Sequence, residues 1–545
     1  MNNVALIFPL KFKKFYINPF YLQKIYSTIV EEKLSNISLQ LLDMNDEKSK
    51  YKLNTEQFEL AIIDTPEGSV DSLIDILTII NTNAVMLVGD IIKYGKSQDL
   101  LVYLNTIFKF SIYGCIDDAS MVNFLKIYLT QGDMDDVSGL MYFKDNMYIQ
   151  NKLLNKDDVN KKIQLHFTDN IIHLYENKGI QLFMDGLSRG CENNCSFCKM
   201  NNNMYFEKKI EPSNIDIIKT IEDLRKKCKK TLFIQFTDEN FFGGGLSRLE
   251  QILELTNNLE SINFNGLIGI DTRLDSIYNP KDSDELNKMR QKTWCTLYNC
   301  GLRYCFLGVE TFSESQAFRY NKNLDLSNFE YTISFLGKKG INYTIGLILW
   351  DPLMKKQELM ENLNFIKSNN LLGHTASLLK VMRIQVNSRY LKKYCELSPK
   401  GASDYFNIND EFVEYKDLEI KKVLPFVQKI YHLFADSGYR HSDVALFSVL
   451  YDESTPQIYT SIPYIISKME YDILLYLLQL NDVSDYKRIL NDIYACCQSV
   501  VLEINNRLKR IESEDVNLTS IKNYYDDIFS KIYDNLENDI KCLRI

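Results

Sequence analysis

Three cysteines stand together in the run Ser188-Arg189-Gly190-Cys191-Glu192-Asn193-Asn194-Cys195-Ser196-Phe197-Cys198. Their spacing puts three thiolates on one short loop, close enough to hold three corners of a single [4Fe–4S] cube. Protein cubes usually take four cysteines, and a structural zinc site also wants four closed ligands. The fourth iron is therefore left without a nearby thiolate, an arrangement useful only if something else fills the position. Gly190 lets the chain turn tightly before the first ligand. The alternative is three unrelated cysteines buried as small apolar residues, and the fit of the flanking residues weighs against it.

Other chemistry-bearing groups converge less well. Cys295, Cys300 and Cys305 lie five apart across a helix-to-strand boundary, and adjacent Cys496 and Cys497 diverge on a helix. The five histidines, His166, His173, His374, His432 and His441, show neither zinc nor triad spacing, and Gly243-Gly244-Gly245 lacks the Lys-Ser/Thr of a phosphate loop.

The chain has 545 residues, 45% hydrophobic and 25% charged, enough for three or four domains with a sizeable core. Its net charge is −9 with Lys and Arg scattered, which argues against a nucleic-acid partner, since phosphate binding needs a basic footprint. No apolar run approaches the roughly 20 residues of a membrane span, and the N-terminus lacks a signal peptide's basic start. A thiolate iron–sulfur site suits a reducing compartment. A cytoplasmic protein with no membrane partner is the expectation.

The elements that must position the cysteines follow from the apolar pattern. Strand-like runs at Val4–Phe8, Ile37–Leu42, Leu60–Asp64, Ala84–Gly89 and Phe108–Gly114 alternate with helical segments such as Tyr21–Leu34 and Ser69–Asn81. This is the rhythm of a doubly wound parallel sheet over residues 1–150. Ligands on such sheets bind outside the carboxyl ends of the strands, so Pro9, Asp64, Gly89 and Gly114 mark the expected rim. A linker (151–180) leads to a second βα series over 181–395. Its strands are expected at Gln181–Met184, Thr231–Phe236, Asn263–Ile270, Arg303–Val309, Ile341–Leu349 and Ser377–Gln385. Residues 396–545 read as mainly helical, as in Pro463–Leu480 and Tyr486–Ile511, with Asp436–Tyr451 a loop or short strand pair. The helical region is expected to cap the second sheet, with a peptide-binding appendage as the alternative.

The cysteine loop resembles that of the radical S-adenosylmethionine (SAM) family. In that family the amino and carboxylate groups of SAM occupy the open iron, and the reduced cluster cleaves SAM to a 5′-deoxyadenosyl radical. The resemblance implies a partial (β/α)6 barrel over 181–395 with the cluster loop after its first strand, and Phe197 beside the adenine. By the same resemblance Asp238, Glu239 and Asn240 contact the SAM ammonium. Arg273 meets the SAM carboxylate, Gly308 admits the adenosyl group, Glu310 braces the site, and Gly346 in the fifth strand is a further cofactor-binding residue. Residues 1–150, and the hairpin around Gly139, resemble the branch with an N-terminal cobalamin-binding domain. Two departures stand out: no Asp-x-His-x-x-Gly follows the first strand, and Gly89 is followed by Asp90 where paired glycines usually admit the nucleotide tail.

The leading expectation is a radical SAM enzyme binding a [4Fe–4S] cluster, SAM and cobalamin, and methylating an unactivated carbon in natural-product or modified-peptide biosynthesis. It would act on a small molecule or peptide and take electrons from a flavodoxin or ferredoxin. The same residues leave open a non-methylating radical SAM enzyme with a purely structural N-terminal sheet, and a non-catalytic iron–sulfur or cobalamin sensor.

Overall fold

The computed structural model describes residues 2–11, 16–34, 36–116, 118–145, 147–152, 162–202, 210–243, 245–322, 325–394, 407, 413–440, 457–510 and 516–544. The chain divides into two compact units: Met1–Ile268 with Arg383–Phe412, and Gly269–Met382 with Val413–Ile545.

The first unit begins with a sheet whose strands read as near-continuous apolar runs. β1 (Asn2–Phe8), β2 (Ile37–Asp43), β3 (Gln57–Asp64), β4 (Asn81–Val88) and β5 (Ser111–Cys115) are parallel neighbours in the order β2-β1-β3-β4-β5. Strands covered on both faces need no polar alternation, and Val4 to Ile7, Ala61 to Ile63 and Val85 to Leu87 are fully buried. Chain order reverses between β1 and β3, so the crevice beyond those two strand ends is the topological switch point. The hairpin read around Gly139 is present as β6 (Leu140–Lys144) and β7 (Met147–Gln150), and it extends this sheet, with β6 antiparallel to β5 through Gly114 and Met141. The fifth strand starts later than its apolar run suggests. Phe108 donates its N–H to the Leu104 carbonyl at 2.9 Å and so closes the helix Ser97–Ile107.

The second series starts in the same unit with β8 (Leu182–Met184). The loop strand β9 (Ser188–Gly190) follows and pairs antiparallel with β10 (Ile210–Pro212); β11 (Phe233–Phe236) then lies parallel to β8. The outer edge of β8 meets a side chain. Buried Asn18 accepts from the Phe183 N–H at 2.7 Å and donates to the Phe183 carbonyl at 2.9 Å, standing in for one residue of a neighbouring strand. The next strand is displaced from the expected Asn263–Ile270. Asn263 takes a left-handed φ of 49° and its N–H is bonded to the Glu260 carbonyl, so it ends the helix Leu246–Ser261. Strand β12 runs instead over Leu267–Arg273, starting beside β11, where the Leu267 N–H donates to Leu232.

In the second unit the remainder of β12 neighbours β13 (Leu302–Glu310), which is parallel to β14 (Asn342–Leu347). Helices Asp284–Asn299, Phe329–Lys339 and Lys356–Ser368 connect or follow them. The expected sixth strand, Ser377–Gln385, is not formed; isolated bridges at Thr375, Val381 and Gln385 replace it. The reason lies in a buried side chain. Glu470 accepts from the Ser377 hydroxyl at 2.8 Å and the Leu378 N–H at 2.9 Å, while the Trp350 indole donates to the Leu378 carbonyl. Side chains thus satisfy backbone groups that a ladder would otherwise pair. Beyond residue 413 the described chain is almost wholly helical, in Leu418–Asp436, Gln457–Gln479, Tyr486–Leu508 and Val516–Arg544. Most of the loop or strand pair expected at 436–451 lies outside the described residues. Among the described residues no helix is long and apolar enough to cross a membrane.

Burial raises the Glu470 carboxyl to about 7, against the lowering influence of the Ser377 and Leu378 hydrogen bonds. A folded-state pKa above the unfolded value stabilises at low pH, and that contribution is lost as pH rises through the folded value. Relative to Glu470→Gln, the wild type is expected to lose on the order of 3 kcal/mol between about pH 4.5 and pH 7. Denaturant unfolding of both proteins across that range measures it.

Candidate functional site

The cysteine loop leaves β8 through Asp185-Gly186-Leu187, and the turn after β11 reaches back to fasten it. Asp238 Oδ1 accepts from the Leu187 N–H at 3.0 Å and the Ser188 N–H at 2.7 Å. Glu239 accepts from the Gly190 N–H at 2.7 Å, and Asn240 donates to the Glu192 carboxylate at 3.0 Å. The three consecutive residues expected at the SAM ammonium are thus all engaged with residues 187–192. A Cβ at Gly186 would fall 2.0 Å from Asp238 Oδ2, so only glycine lets the two segments meet. Arg248, from the helix Leu246–Ser261, donates to the Ser188 hydroxyl and lies 3.6 Å from Asp238 Oδ1. Burial lifts the Asp238 carboxyl to about 7, opposed by the Ser188 N–H and the Arg248 charge. Asp238 Oδ2 and Arg248 Nη1 are buried without a hydrogen-bond partner among the described residues.

A second clamp is ionic. Arg189 grips the buried Asp185 with two bonds of 2.8 Å, and Lys24, from the helix Phe20–Glu31, adds a third contact at 3.2 Å. Burial alone would raise Asp185, but the Arg189 and Lys24 charges overcome it and hold the carboxyl at about 2. Arg189 also stacks 5.4 Å above the Tyr21 ring. A third clamp comes from late in the chain: the Tyr390 N–H donates to the Ser196 carbonyl at 2.8 Å.

Within this frame Cys195 is buried while Cys191, Phe197 and Cys198 are partly exposed. Asn193 Nδ2 lies 3.2 Å from Cys191 Sγ, and the Cys198 N–H bonds the Cys195 carbonyl at 3.3 Å, closing the turn. Burial pushes the Cys198 thiol up to about 12, and neighbouring Cys195 and Cys191 push in the same direction. Among the described residues no three His, Cys, Asp or Glu side chains are grouped as for one metal ion. A cube holds its thiolates farther apart than one ion does, and a short loop of three neighbouring thiols, two of them partly accessible, fits that group in donor type and number.

The remaining expected SAM residues lie in the second unit. Arg273 forms a forked pair with Asp275, both bonds 3.0 Å. Glu310 is held by Lys322 at 3.1 Å and adopts a left-handed φ of 73° beside a register shift in the β13–β14 pairing. A strained non-glycine residue persists only where its surroundings over-determine it, which is common at ligand sites. A Cβ at Gly308 would meet the Glu310 carboxylate at 3.0 Å and Lys322 Nζ at 3.3 Å, so Gly308 faces this ion pair. Gly346 admits the Phe306 ring, which a Cβ would approach to 2.5 Å.

At the N-terminal rim, Pro9 follows β1 at the switch point. Gly89 has a φ of 97° after β4, but Asp64 Oδ1 occupies its open side, 2.1 Å from where a Cβ would stand. The Thr65 N–H bonds the Val88 carbonyl and the Ile91 N–H bonds the Thr65 carbonyl, which stitches the ends of β3 and β4 together. Gly114 lies inside β5, packed on Leu101 and Met141. The rim therefore fits cobalamin in strand order and in its switch point, but neither glycine leaves a cradle for a nucleotide tail.

Several residues of the site carried no sequence signal. Arg248 and Lys322 sit in unremarkable helical or loop contexts, and Lys24 lies far from the loop in sequence. The Asp185/Arg189 pair had a readable cue in its four-residue spacing flanking Gly186. Asp90, read as a departure, forms a 2.7 Å ion pair with Lys199, the residue after the third cysteine.

With the cysteine loop hung from the first strand of the second series, this is the fold of the cobalamin-dependent radical SAM enzymes, and the resemblance read from the motif holds at the level of the fold. No family model matches the chain. The solved structure of the cobalamin-dependent SAM radical enzyme OxsB, with aqua-cobalamin and SAM bound, superposes with a TM-score of 0.69 at 17% identity. It covers 97% of this chain and 84% of that one. TsrM from Kitasatospora setae, a radical SAM methyltransferase solved with cobalamin and a [4Fe–4S] cluster, gives a TM-score of 0.55 at 13% identity over 72% of this chain and 74% of that one. A curated relative, 4'-phospho-dehydrooxetanocin synthase of Priestia megaterium, is 25% identical over 260 residues. Over that match the chain spans about a third of the relative's length (34%) and 46% of its own.

Replacing Asp185 by Asn leaves Lys24 and Arg189 without their counter-charge and is expected to destabilise the protein by about 3 kcal/mol. Because the Asp185 pKa is depressed, its contribution is present above about pH 4 and fades as pH falls toward 2. The acid limb of a stability-versus-pH curve should accordingly be shallower in Asp185→Asn than in the wild type.

Proposed function

We propose that this chain is a radical SAM enzyme in which Cys191, Cys195 and Cys198 hold a [4Fe–4S] cluster whose fourth iron takes SAM. Bound there, cluster and SAM supply one-electron chemistry that yields a 5′-deoxyadenosyl radical able to abstract hydrogen from an unactivated carbon. The observation that carries the reading is the clamped loop: three thiols closely spaced on one loop whose described flanking residues are held by Asp238, Glu239, Asp185 and Tyr390. The protein's own part is positional. Asp238, Glu239 and Asn240 fix residues 187–192, the Asp185 pair fixes Arg189, and Tyr390 fixes Ser196. Catalysis by a bound cofactor depends on such orientation and on exclusion of water. By the family resemblance alone, Phe197 would take the adenine face, and Arg273, Gly308, Glu310 and Gly346 other parts of SAM.

The finer reading is cobalamin-dependent C-methylation of a small molecule or peptide in natural-product biosynthesis, with electrons from a flavodoxin or ferredoxin. Its support is the fold shared with OxsB and TsrM. Cobalamin would be held by the strand ends near Pro9, where no Asp-x-His-x-x-Gly motif follows the first strand, and would supply methyl-transfer chemistry there. Its tail would pass elsewhere than Gly89 and Gly114.

Anaerobically reconstituted wild type is expected to carry about four irons per chain and to form 5′-deoxyadenosine from SAM, given the composition of one cube. The Cys191→Ala/Cys195→Ala/Cys198→Ala variant should lose both, and equal cleavage by that variant would overturn the assignment. Expression with hydroxocobalamin and cobalt quantification tests the finer reading. Cobalt well below one per chain, with cluster and SAM cleavage intact, would favour a non-methylating radical reaction.

A further inference from the structure

The helix Asp90–Tyr94, directly after β4, touches two routes by which residues 196–199 are held. On the direct route, Lys199 Nζ bonds Asp90 Oδ2 at 2.7 Å and lies 5.6 Å from the centre of the Tyr94 ring. On the indirect route, Asn387 Nδ2 donates to the Tyr94 carbonyl at 2.9 Å and the Gly95 carbonyl at 3.0 Å, and three residues later the Tyr390 N–H holds Ser196. Lys199 and Asp90 are each about one-third exposed, so the pair is partly withdrawn from water and weakly screened. Lys199 is also the residue bonded next to Cys198. Net charge near a cluster is one of the terms that sets its reduction potential.

We propose that Asp90 is a positioning residue for the cluster: by neutralising and holding Lys199 beside Cys198, it keeps the potential of the bound cluster low. The inference rests on the cluster-binding reading above. It gives Asp90 a task facing the cysteine loop, at the position where a nucleotide-binding glycine was expected.

Opposite charge deletions separate this role from simple loosening of the loop. In Asp90→Asn the size and an acceptor oxygen remain, but Lys199 loses its counter-charge, so the cluster potential should move positive. In Lys199→Met the unpaired charge is the Asp90 carboxylate, so the potential should move negative. Asp90→Glu should restore the wild-type value, and the double variant should lie between the two singles. The measurement is a spectroscopic redox titration of reconstituted full-length protein, with iron content and far-UV circular dichroism recorded for each variant. Shifts of opposite sign at wild-type iron content support the inference. Shifts of the same sign, no shift, or loss of iron in a variant that keeps its secondary structure overturn it. A wild type that takes up no iron would instead remove the proposed function, and this inference with it.

Discussion

The Asp238 carboxylate, inserted against the backbone of Leu187 and Ser188, is the constraint around which the candidate site is arranged. Two N–H groups converge on one oxygen, Gly186 is required for the approach, and Arg248 sits beside the carboxylate and bonds the same serine. A buried carboxylate is costly unless hydrogen-bonded and charge-compensated, so the loop and the turn after β11 stabilise each other or neither. Because Glu239 and Asn240 follow immediately, a single turn fixes the stretch from Leu187 to Glu192. The cysteines then inherit their positions from a β-strand end rather than from their own short loop. Sites anchored on regular elements are held more closely than those left to loops alone.

Unlike partners surround the loop on its other sides. The Asp185–Arg189–Lys24 triad joins it to the first helix of the chain, and the stretch 387–390 joins it to the β4 rim. Breaking one member of a buried ionic group leaves an uncompensated charge, so these contacts act as register marks: each is favourable in one arrangement and costly in others. In the second unit a similar economy of partners appears at Glu310, whose left-handed backbone is held by a buried lysine, by the β13 irregularity and by the bond from the Ile348 N–H.

Much of this was legible in the residues. The N-terminal strands could be read because doubly covered strands are continuous apolar runs, and the cysteine loop because its spacing is rare. One error arose where a polar side chain replaced a backbone partner, another where a residue in the left-handed region closed a helix. Glu470 took the N–H of Leu378 and removed a strand; Asn263 ended a helix where a strand was expected to begin. Neither event has a local signature, since the deciding partner is distant or the residue tolerates several conformations. The rim glycines illustrate a related point. Gly89 and Gly114 mark the expected rim, and Asp64, Leu101 and Met141 occupy the space beside them. A sequence shows that a side chain is absent, but not what takes its space.

The first unit is discontinuous, and its last segment carries Asn387 and Tyr390. A ribosome therefore delivers the cysteines well before the strap that holds the Ser196 carbonyl, with residues 269–382 made in between. The tie from the Tyr390 N–H to the Ser196 carbonyl is thus a contact that only a chain made as far as residue 390 can form.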